Sequence, residues 1–489
     1  MSGSFPLGSW TLAEVPELPG GAWSERVAAL LGEGARIVTA FGRRDCDDVV
    51  ASAILQPASG ELVLVRGRID RALGYHALTP THPAMHVFER EMHEQTGVRI
   101  AGHPWLKPVR FEGSAPSAMA AYPFFTLQGK EVHEVQVGPV HAGVIEPGAF
   151  RFMCLGEKVH HLEIQLGYQH RGVEALLLRG DPRAHAPLVE TIAGDTSIAH
   201  AWAYCAAIES LAGLDADAST DRGRAVGLEL ERVAMHLAGL AGLATDIGFL
   251  QGGSTYGRLR TTAINTSMRL CGSRFGRGWL RPGGSRAMAD AALVEVVRAN
   301  IALLIRDLAV INDRFVSSVT VRHRFVGAGR LTSEQALDVG LVGVAARASG
   351  VNLDQRSLGL GVYREHPVET VTEPTGDCWA RALVRIREMD GSLAWLRRVF
   401  ADATELASVQ RPVGALAAGS LVVSTCEGWR GEVVHALETG PDGVLVQHKV
   451  QDPSLRNWFG LALAVRENEI SDFPICNKSF DLSYCGHDL

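Results

Sequence analysis

Residues 190–209 read ETIAGDTSIAHAWAYCAAIE. Ile198, Ala201, Trp202, Cys205 and Ile208 recur at helical spacing, the apolar stripe of an α-helix laid on a core. The start of the stretch is polar. Asp195, Thr196 and Ser197 offer oxygens of the kind that cap a helix N-terminus, and His200 projects from the first full turn. The pattern fits a capped core helix. It also fits a helix start that faces a reactive centre, and the rest of the chain has to supply the choice.

The chain has 489 residues, 46% of them hydrophobic and 21% charged, with a net charge of −7. That length implies more than one domain and a large core. The absence of a basic surplus argues against nucleic acid or an anionic lipid surface as partner. No apolar run reaches the roughly 20 residues that cross a bilayer. The opening MSGSFPLGSWTLAEVPELPGG lacks the basic start and apolar core of a signal peptide, so a cytosolic protein is expected, compatible with a seat on a membrane complex. Cys46, Cys154, Cys205, Cys271, Cys378, Cys426, Cys476 and Cys485 include no CxxC pair. Local cysteine pairs therefore build no zinc or iron–sulfur site, and scattered cysteines in such a chain read as small buried hydrophobes.

Taken in order, residues 1–35 are rich in Gly and Pro around one amphipathic piece, Trp23–Leu31. RIVTAF (36–41), DVVASAILQ (48–56) and ELVLVR (61–66) are short β-branched runs and read as strands. Residues 84–97 read as a helix stopped by Gly97. A small α/β domain over 1–112 follows, then a linker over 113–134. VQVGPVHAGVIEPG (135–148) is a turn-rich β segment, and 151–166 reads as two strands. Helical patterns with small-residue faces cover 184–212, 222–250, 255–276, 286–319, 331–349 and 376–401, which is a bundle. Residues 414–450 alternate as strands, and the tail from 472 reads as irregular. The expected fold is α+β: a small N-terminal α/β domain and a large, mostly helical domain over 135–489 with peripheral short β-sheets. The arginines at 381, 385, 387, 397 and 398 read as a solvated or subunit-facing row. No GxGxxG or P-loop occurs, so nicotinamide or ATP binding by this chain itself is not expected.

Several stretches carry a resemblance. FEREMHEQTGVRIAGHP (88–104) is similar to the end of the 30-kDa-type subunit of respiratory complex I. GPVHAGVIEPG (138–148), HRGVE (170–174), ERVAMHLAGLAGLATDIGF (231–249), RPGG (281–284), GDCWARALVRIREMDGS (376–392) and FDLSYCGHDL (480–489) resemble, in order, the quinone-site 49-kDa-type subunit of complex I and the large subunit of formate-hydrogenlyase-type [NiFe] hydrogenases. The GPxHxGxxEPG form and the fusion of the two parts favour the hydrogenlyase branch.

In the hydrogenase branch, four thiolates hold the two metals, because soft sulfur ligands set their redox chemistry. The resemblance puts those positions at Ala193, Thr196, Ser483 and Gly486, none of them cysteine, with Cys485 one residue out of register. No nickel centre is expected. In the complex I branch, a tyrosine and a histidine face the quinone, and their positions fall on Gly194 and Ile145, while the aspartate coupled to the histidine matches Asp246. His141, Glu146 and His200 are left to serve as proton donors there; otherwise they are satisfied core polar groups. Arg171 and His236 match positions beside the terminal iron–sulfur cluster of a neighbouring subunit, where a cation raises the cluster potential and a histidine couples a proton to its reduction. As core residues they would be an ion pair and a packed histidine. Glu174 matches a carboxylate of a proton path. EGWRGE (427–432) orients the site or is a tight turn with a surface Trp.

The resemblance implies a large subunit active within a membrane-associated complex on the cytoplasmic face of the inner membrane. It would take electrons from a [4Fe-4S] cluster in a small partner subunit and pass them to a quinone-like or other acceptor, binding no cofactor itself apart from a possible quinone. Membrane ion-translocating subunits are the other expected partners, and NAD enters only through the likeness to NADH:quinone oxidoreductase. The alternative is a redox-silent subunit that joins the cluster-bearing subunit to the membrane arm. An open, polar cavity near 141–146, 193–200 and 246 favours the first; a filled one favours the second.

Overall fold

The structure, a computed structural model, describes residues 3–114, 116–140, 145–407 and 409–489. His141 lies outside the described residues. Strand β1 (Leu7–Thr11) does not join its sequence neighbours; it runs antiparallel to residues 420–424, near the other end of the chain. The small unit is built from β2 (Glu17–Pro19), α1 (Gly20–Gly32), β3 (Arg36–Asp45), β4 (Asp48–Gln56), β5 (Val63–Asp70) and α2 (His86–Thr96). Its sheet has the order β2-β5-β4-β3, with β2 parallel to β5 and the other pairs antiparallel. Gly97 stops α2 in the left-handed region at φ 74°, a conformation that glycine adopts without steric cost.

Strands β6 (Val132–Val137), β7 (Ala149–Leu155) and β8 (Lys158–Gln165) form a second antiparallel sheet. The helical body follows: α3 (Ser197–Leu211), α4 (Ala218–Asp246), α5 (Leu250–Cys271), α6 (Ala291–Ser317) and α7 (Cys378–Ala401). The expected helix over 331–349 is broken into Ser333–Asp338 and Gly343–Arg347. The break falls at two glycines in the left-handed region, Gly340 at φ 67° and Gly343 at φ 64°, and a Cβ at 343 would lie 1.8 Å from the Arg430 carbonyl oxygen, so that close approach needs glycine.

Strands β9 (Ser420–Glu427), β10 (Glu432–Thr439) and β11 (Leu445–Gln451) complete a sheet of order β1-β9-β10-β11, antiparallel throughout. The tail is helical rather than irregular: α8 (Ser454–Ala464), α9 (Phe473–Phe480) and α10 (Tyr484–Asp488). Pro474 sits in the first turn of α9, where its missing N–H has no partner to lose.

The β9–β11 sheet is covered on both faces. Val422, Cys426, Val433, Leu437 and Val450 pack with Ile198 and Ala201 of the helical body. Leu421, Val423, Val434 and Ala436 pack against Val38, Phe41 and Ile54 of the small unit. Polar side chains on this sheet therefore find partners inside the protein. Arg66 meets Glu438 through two hydrogen bonds of 3.0 and 3.1 Å, their side chains 5% and 4% exposed. Arg36 donates to Glu432 at 2.7 Å, and Lys449 pairs with Glu91 of α2 at 2.6 Å.

The arginine row of α7 is a correction. Only Arg387, Arg397 and Arg398 of those five face solvent. Arg381 and Arg385 are fully buried, Arg381 on the carbonyls of Gly329 and Gly376 and Arg385 on those of Ser479 and Phe480. Arg385 satisfies carbonyls of a helix end that have no helical partner and Arg381 satisfies loop carbonyls, so their charges face inward.

Glu438→Ala removes the buried partner of the Arg66 guanidinium and leaves it only Glu17, at 3.1 Å and 31% exposed on its side chain. The expected loss is about 3–5 kcal/mol of unfolding free energy in urea titrations.

Candidate active site

The start of α3 is not capped by the oxygens nearest to it. Thr196, at the cap position, makes no side-chain cap bond. Glu231 of α4 reaches across instead and accepts the amides of Ile198 at 2.8 Å and Ala199 at 3.4 Å. Burial, helped by the charge of Asp195, pushes its carboxyl up to about 8, against the two amide hydrogen bonds.

Asp195 has a different partner. Arg430 donates to its two carboxylate oxygens at 2.6 and 2.7 Å, to Thr196 Oγ1 at 3.1 Å and to the Asp481 carbonyl. Its guanidinium lies over the Trp429 ring at 3.9 Å, and Trp429 Nε1 donates to the Asp195 carbonyl at 2.9 Å. Both residues sit in the turn between β9 and β10. Trp429 is 1% exposed, so this turn forms the site and does not carry a surface Trp.

The C-terminal segment closes the other side. Arg171 donates to the carbonyls of Thr191 (2.8 Å), Ile192 (3.0 Å) and Cys485 (3.3 Å), tying the α3 approach to α10. Ser483 accepts the Gly486 amide at 2.9 Å, and Glu146 accepts that of Tyr484 at 3.3 Å. His200 Nε2 is 3.1 Å from Asp452 Oδ2. A Cβ at position 486 would lie 2.6 Å from Asp452 Cγ.

Ala193, Thr196, Ser483 and Gly486 thus lie in segments that the fold joins, but a guanidinium and a carboxylate are built into the junction. The four positions offer no sulfur. Burial and the Glu146 charge push the Cys485 thiol up to about 11, where it is not a thiolate at neutral pH. These residues do not fit a nickel–iron pair. Among the described residues no group of three or more His, Cys, Asp or Glu is arranged around a metal position.

The remaining candidates fall elsewhere. His236 is 0% exposed, 2.9 Å from Glu388 Oε2 and 3.4 Å from Arg385 Nη1. Burial pulls it down to about 4 against the pull of Glu388, so the ring is neutral and lies behind Trp429. Asp246 ends α4 on the surface, where partial burial raises its carboxyl and Lys478 draws it back. Glu174 stands between the small unit and β11, bonded to Gln95 and to the Val450 amide and paired with Lys449 at 3.1 Å. Burial would raise its carboxyl, but Lys449 and Arg110 outweigh that and hold it down. Gly194 faces Arg277, and Ile145 is 49% exposed.

An open cleft of about 440 Å³ adjoins the α3 start, lined by Gly194, Asp195, Arg260, Arg277, Trp429 and Lys478 among others. Arg430, Glu231 and Asp452 were not singled out as site residues from sequence. The first two lie inside the EGWRGE and ERVAMH stretches that carry the resemblance. Asp452 follows a strand and has no motif of its own.

A helical body with a site between its first helix and its last turn is the frame within which the likeness to known proteins falls. Residues 246–413 match the family described as respiratory-chain NADH dehydrogenase, 49 kDa subunit. The chain is also similar to the large subunits of membrane-bound hydrogenases and to NADH-quinone oxidoreductase subunits. The carbon monoxide-induced hydrogenase of Rhodospirillum rubrum is 29% identical, over 71% of this chain and 97% of that protein. Formate hydrogenlyase subunit 5 of Escherichia coli is 28% identical, over 84% of this chain and 76% of its own length. An NADH-quinone oxidoreductase subunit of Dehalococcoides mccartyi is 28% identical over 71% of this chain and 96% of its own. A chain of the membrane-bound sulfane sulfur reductase, an archaeal respiratory membrane complex, shares the fold with a TM-score of 0.67 over 74% of this chain and 99% of its own, at 21% identity.

Glu231 gives a pH signature. Its folded pKa of about 8 lies above the ordinary value of 4.5, so the folded chain holds a proton that the unfolded chain releases. Its contribution is fully present below the unfolded value and is lost as pH rises through about 8. In urea midpoints measured from pH 5 to 9, Glu231→Gln is expected to flatten the decline seen in the parent.

Proposed function

We propose that the chain is the electron-transfer large subunit of a membrane-associated oxidoreductase, working without a nickel–iron centre. Electrons would come from a [4Fe-4S] cluster of a small partner subunit on the side of Arg171 and His236, and membrane subunits would hold the complex at the cytoplasmic face. The observation that carries this reading is the open, polar cleft at the α3 start. Arg260, Arg277 and Lys478 bring cationic donors to it, and Trp429 gives it an aromatic wall. That combination suits a flat acceptor whose oxygens gain negative charge on reduction, because fixed donors stabilise charge as it develops. The Arg430–Asp195 pair holds the wall in place. No helix among the described residues is long and apolar enough to cross a membrane, so attachment would run through partners.

One observation favours the second reading, a redox-silent coupling subunit. Both positions that face quinone in the complex I branch carry no donor here, Gly194 and Ile145, and Arg430 bridges the segments that would frame the centre.

The purified complex, assayed with quinones and artificial acceptors, separates the two. Lys478→Met and Arg277→Met are each expected to raise the acceptor KM about tenfold or more, the cost of one charge-assisted hydrogen bond. A parent complex that reduces no acceptor supports the coupling reading, and nickel in stoichiometric amount overturns both.

A further inference from the structure

Three fully buried histidines from three elements form a line beneath the site. His200 lies on α3, His435 on β10 and His448 on β11. Strand register puts His435 opposite Val450 and Leu437 opposite His448, so both imidazoles stand on the sheet face that packs on α3. The contacts run in sequence: Asp452 Oδ2 to His200 Nε2 at 3.1 Å, His200 Nδ1 to His435 Nε2 at 3.2 Å, and His435 Nδ1 to His448 Nε2 at 2.9 Å. His448 Nδ1 is buried and has no partner.

For three neutral rings the protons in this line follow by counting. Each contact holds one hydrogen, and a neutral imidazole carries one N–H and one lone pair. Asp452 also accepts the Ser454 amide at 2.8 Å, and His200 and Arg430 hold its carboxyl below the ordinary range although burial raises it. It is an acceptor, so His200 donates from Nε2. His200 Nδ1 must then accept from His435 Nε2, and His435 Nδ1 from His448 Nε2. All three rings carry their proton on Nε2 and point it towards Asp452. The line ends in a bare lone pair on His448, where burial pulls the ring down to about 3 and Glu174 is the carboxylate whose field favours a proton.

We propose that His448, His435 and His200 are a proton relay that feeds Asp452 at the floor of the site. A proton taken up at His448 Nδ1 displaces the Nε2 proton of each ring onto the next, and the last passes to the Asp452 carboxylate, which becomes the acid. One proton enters and one is delivered, and no electron moves. Each ring is left with its proton on Nδ1, and the same transfers run backwards when Asp452 takes a proton from the site, so the line is a reversible shuttle that supplies and withdraws one proton. Glu174, 17% exposed on its side chain and paired with Lys449, is the carboxylate on the His448 side of the relay, at the seam between the units. Asp452 abuts Gly486, so the proton arrives where α3 and α10 meet. The relay rests on the functional reading above only for what consumes that proton.

Its test needs no turnover. The full chain is labelled with ¹⁵N-histidine and moved into D₂O, and NMR follows the His200 Nε2–H. In the parent this proton is expected to exchange despite its burial, because every shift of the line hands it to Asp452. His435→Gln keeps a donor and an acceptor at the middle position but cannot pass a proton through itself. It is expected to slow exchange at His200 by about tenfold or more. A merely structural role predicts unchanged or faster exchange, since a loosened core admits solvent, and that result overturns the relay. An Nδ1–H tautomer at any of the three rings in the parent overturns it too. If His435→Gln does not fold, His448→Gln at the open end gives the same readout. A complex silent towards every acceptor counts against the electron-transfer reading and leaves this measurement untouched.

Discussion

A sheet with no solvent face is the constraint on which the rest of this structure depends. β9, β10 and β11 are pressed between the helical body and the small unit, and β9 and β10 are buried along their whole length. A polar side chain placed there has no water to turn to, so it must be satisfied by the protein. On the side of the small unit this produces the Arg66–Glu438, Arg36–Glu432 and Lys449–Glu91 pairs. On the side of α3 it produces the histidine line and its terminal aspartate. The seam between the units and the floor of the site are the two faces of one sheet.

The same logic governs the ions deeper in the body. Glu388 accepts from Arg347 at 2.6 Å and from His236 at 2.9 Å, and Glu229 is held by Arg356, Tyr363 and Ser392. Removing one member of such a group leaves a charge in the core, which costs far more than the pair contributes. The network therefore fixes the relative positions of α4, α7 and the β9–β10 turn. It also explains why Trp429 and Arg430 present themselves to α3 in one orientation.

Much of this was legible in the residues. Period-two runs gave β3, β4, β9, β10 and β11, helical stripes gave α3 to α7, and Gly97 marked the end of α2. What stayed hidden were effects of distant contacts. A helical pattern breaks at Gly340 and Gly343, and the Arg430 carbonyl lies against the second. Pro474 opens a helix in a tail that reads as irregular. Arg381 and Arg385 look like surface charge until the carbonyls they satisfy are known. At the site, Asp195 and Thr196 sit where cap residues belong, yet the cap comes from Glu231 on another helix, and local spacing carries no trace of that. The missing thiolates could be read directly, because an absent ligand atom needs no fold to be recognised. Arg430 lies in a stretch that the sequence marks, but its place in the junction between those segments, like that of Asp452, is visible only in three dimensions.

The pairing of Leu7–Thr11 with Ser420–Ser424 has a consequence for how the chain is made. During synthesis Leu7–Thr11 must wait until Ser420–Ser424 has been made before its partner exists. Until then β1 is an unpaired edge, and the small unit that follows it can form its own sheet without it. Contacts between such distant segments carry a large loop-closure entropy and form late. The β1–β9 pairing is therefore expected to form late in folding, and it ties the segment ahead of the small unit to the sheet of the large one.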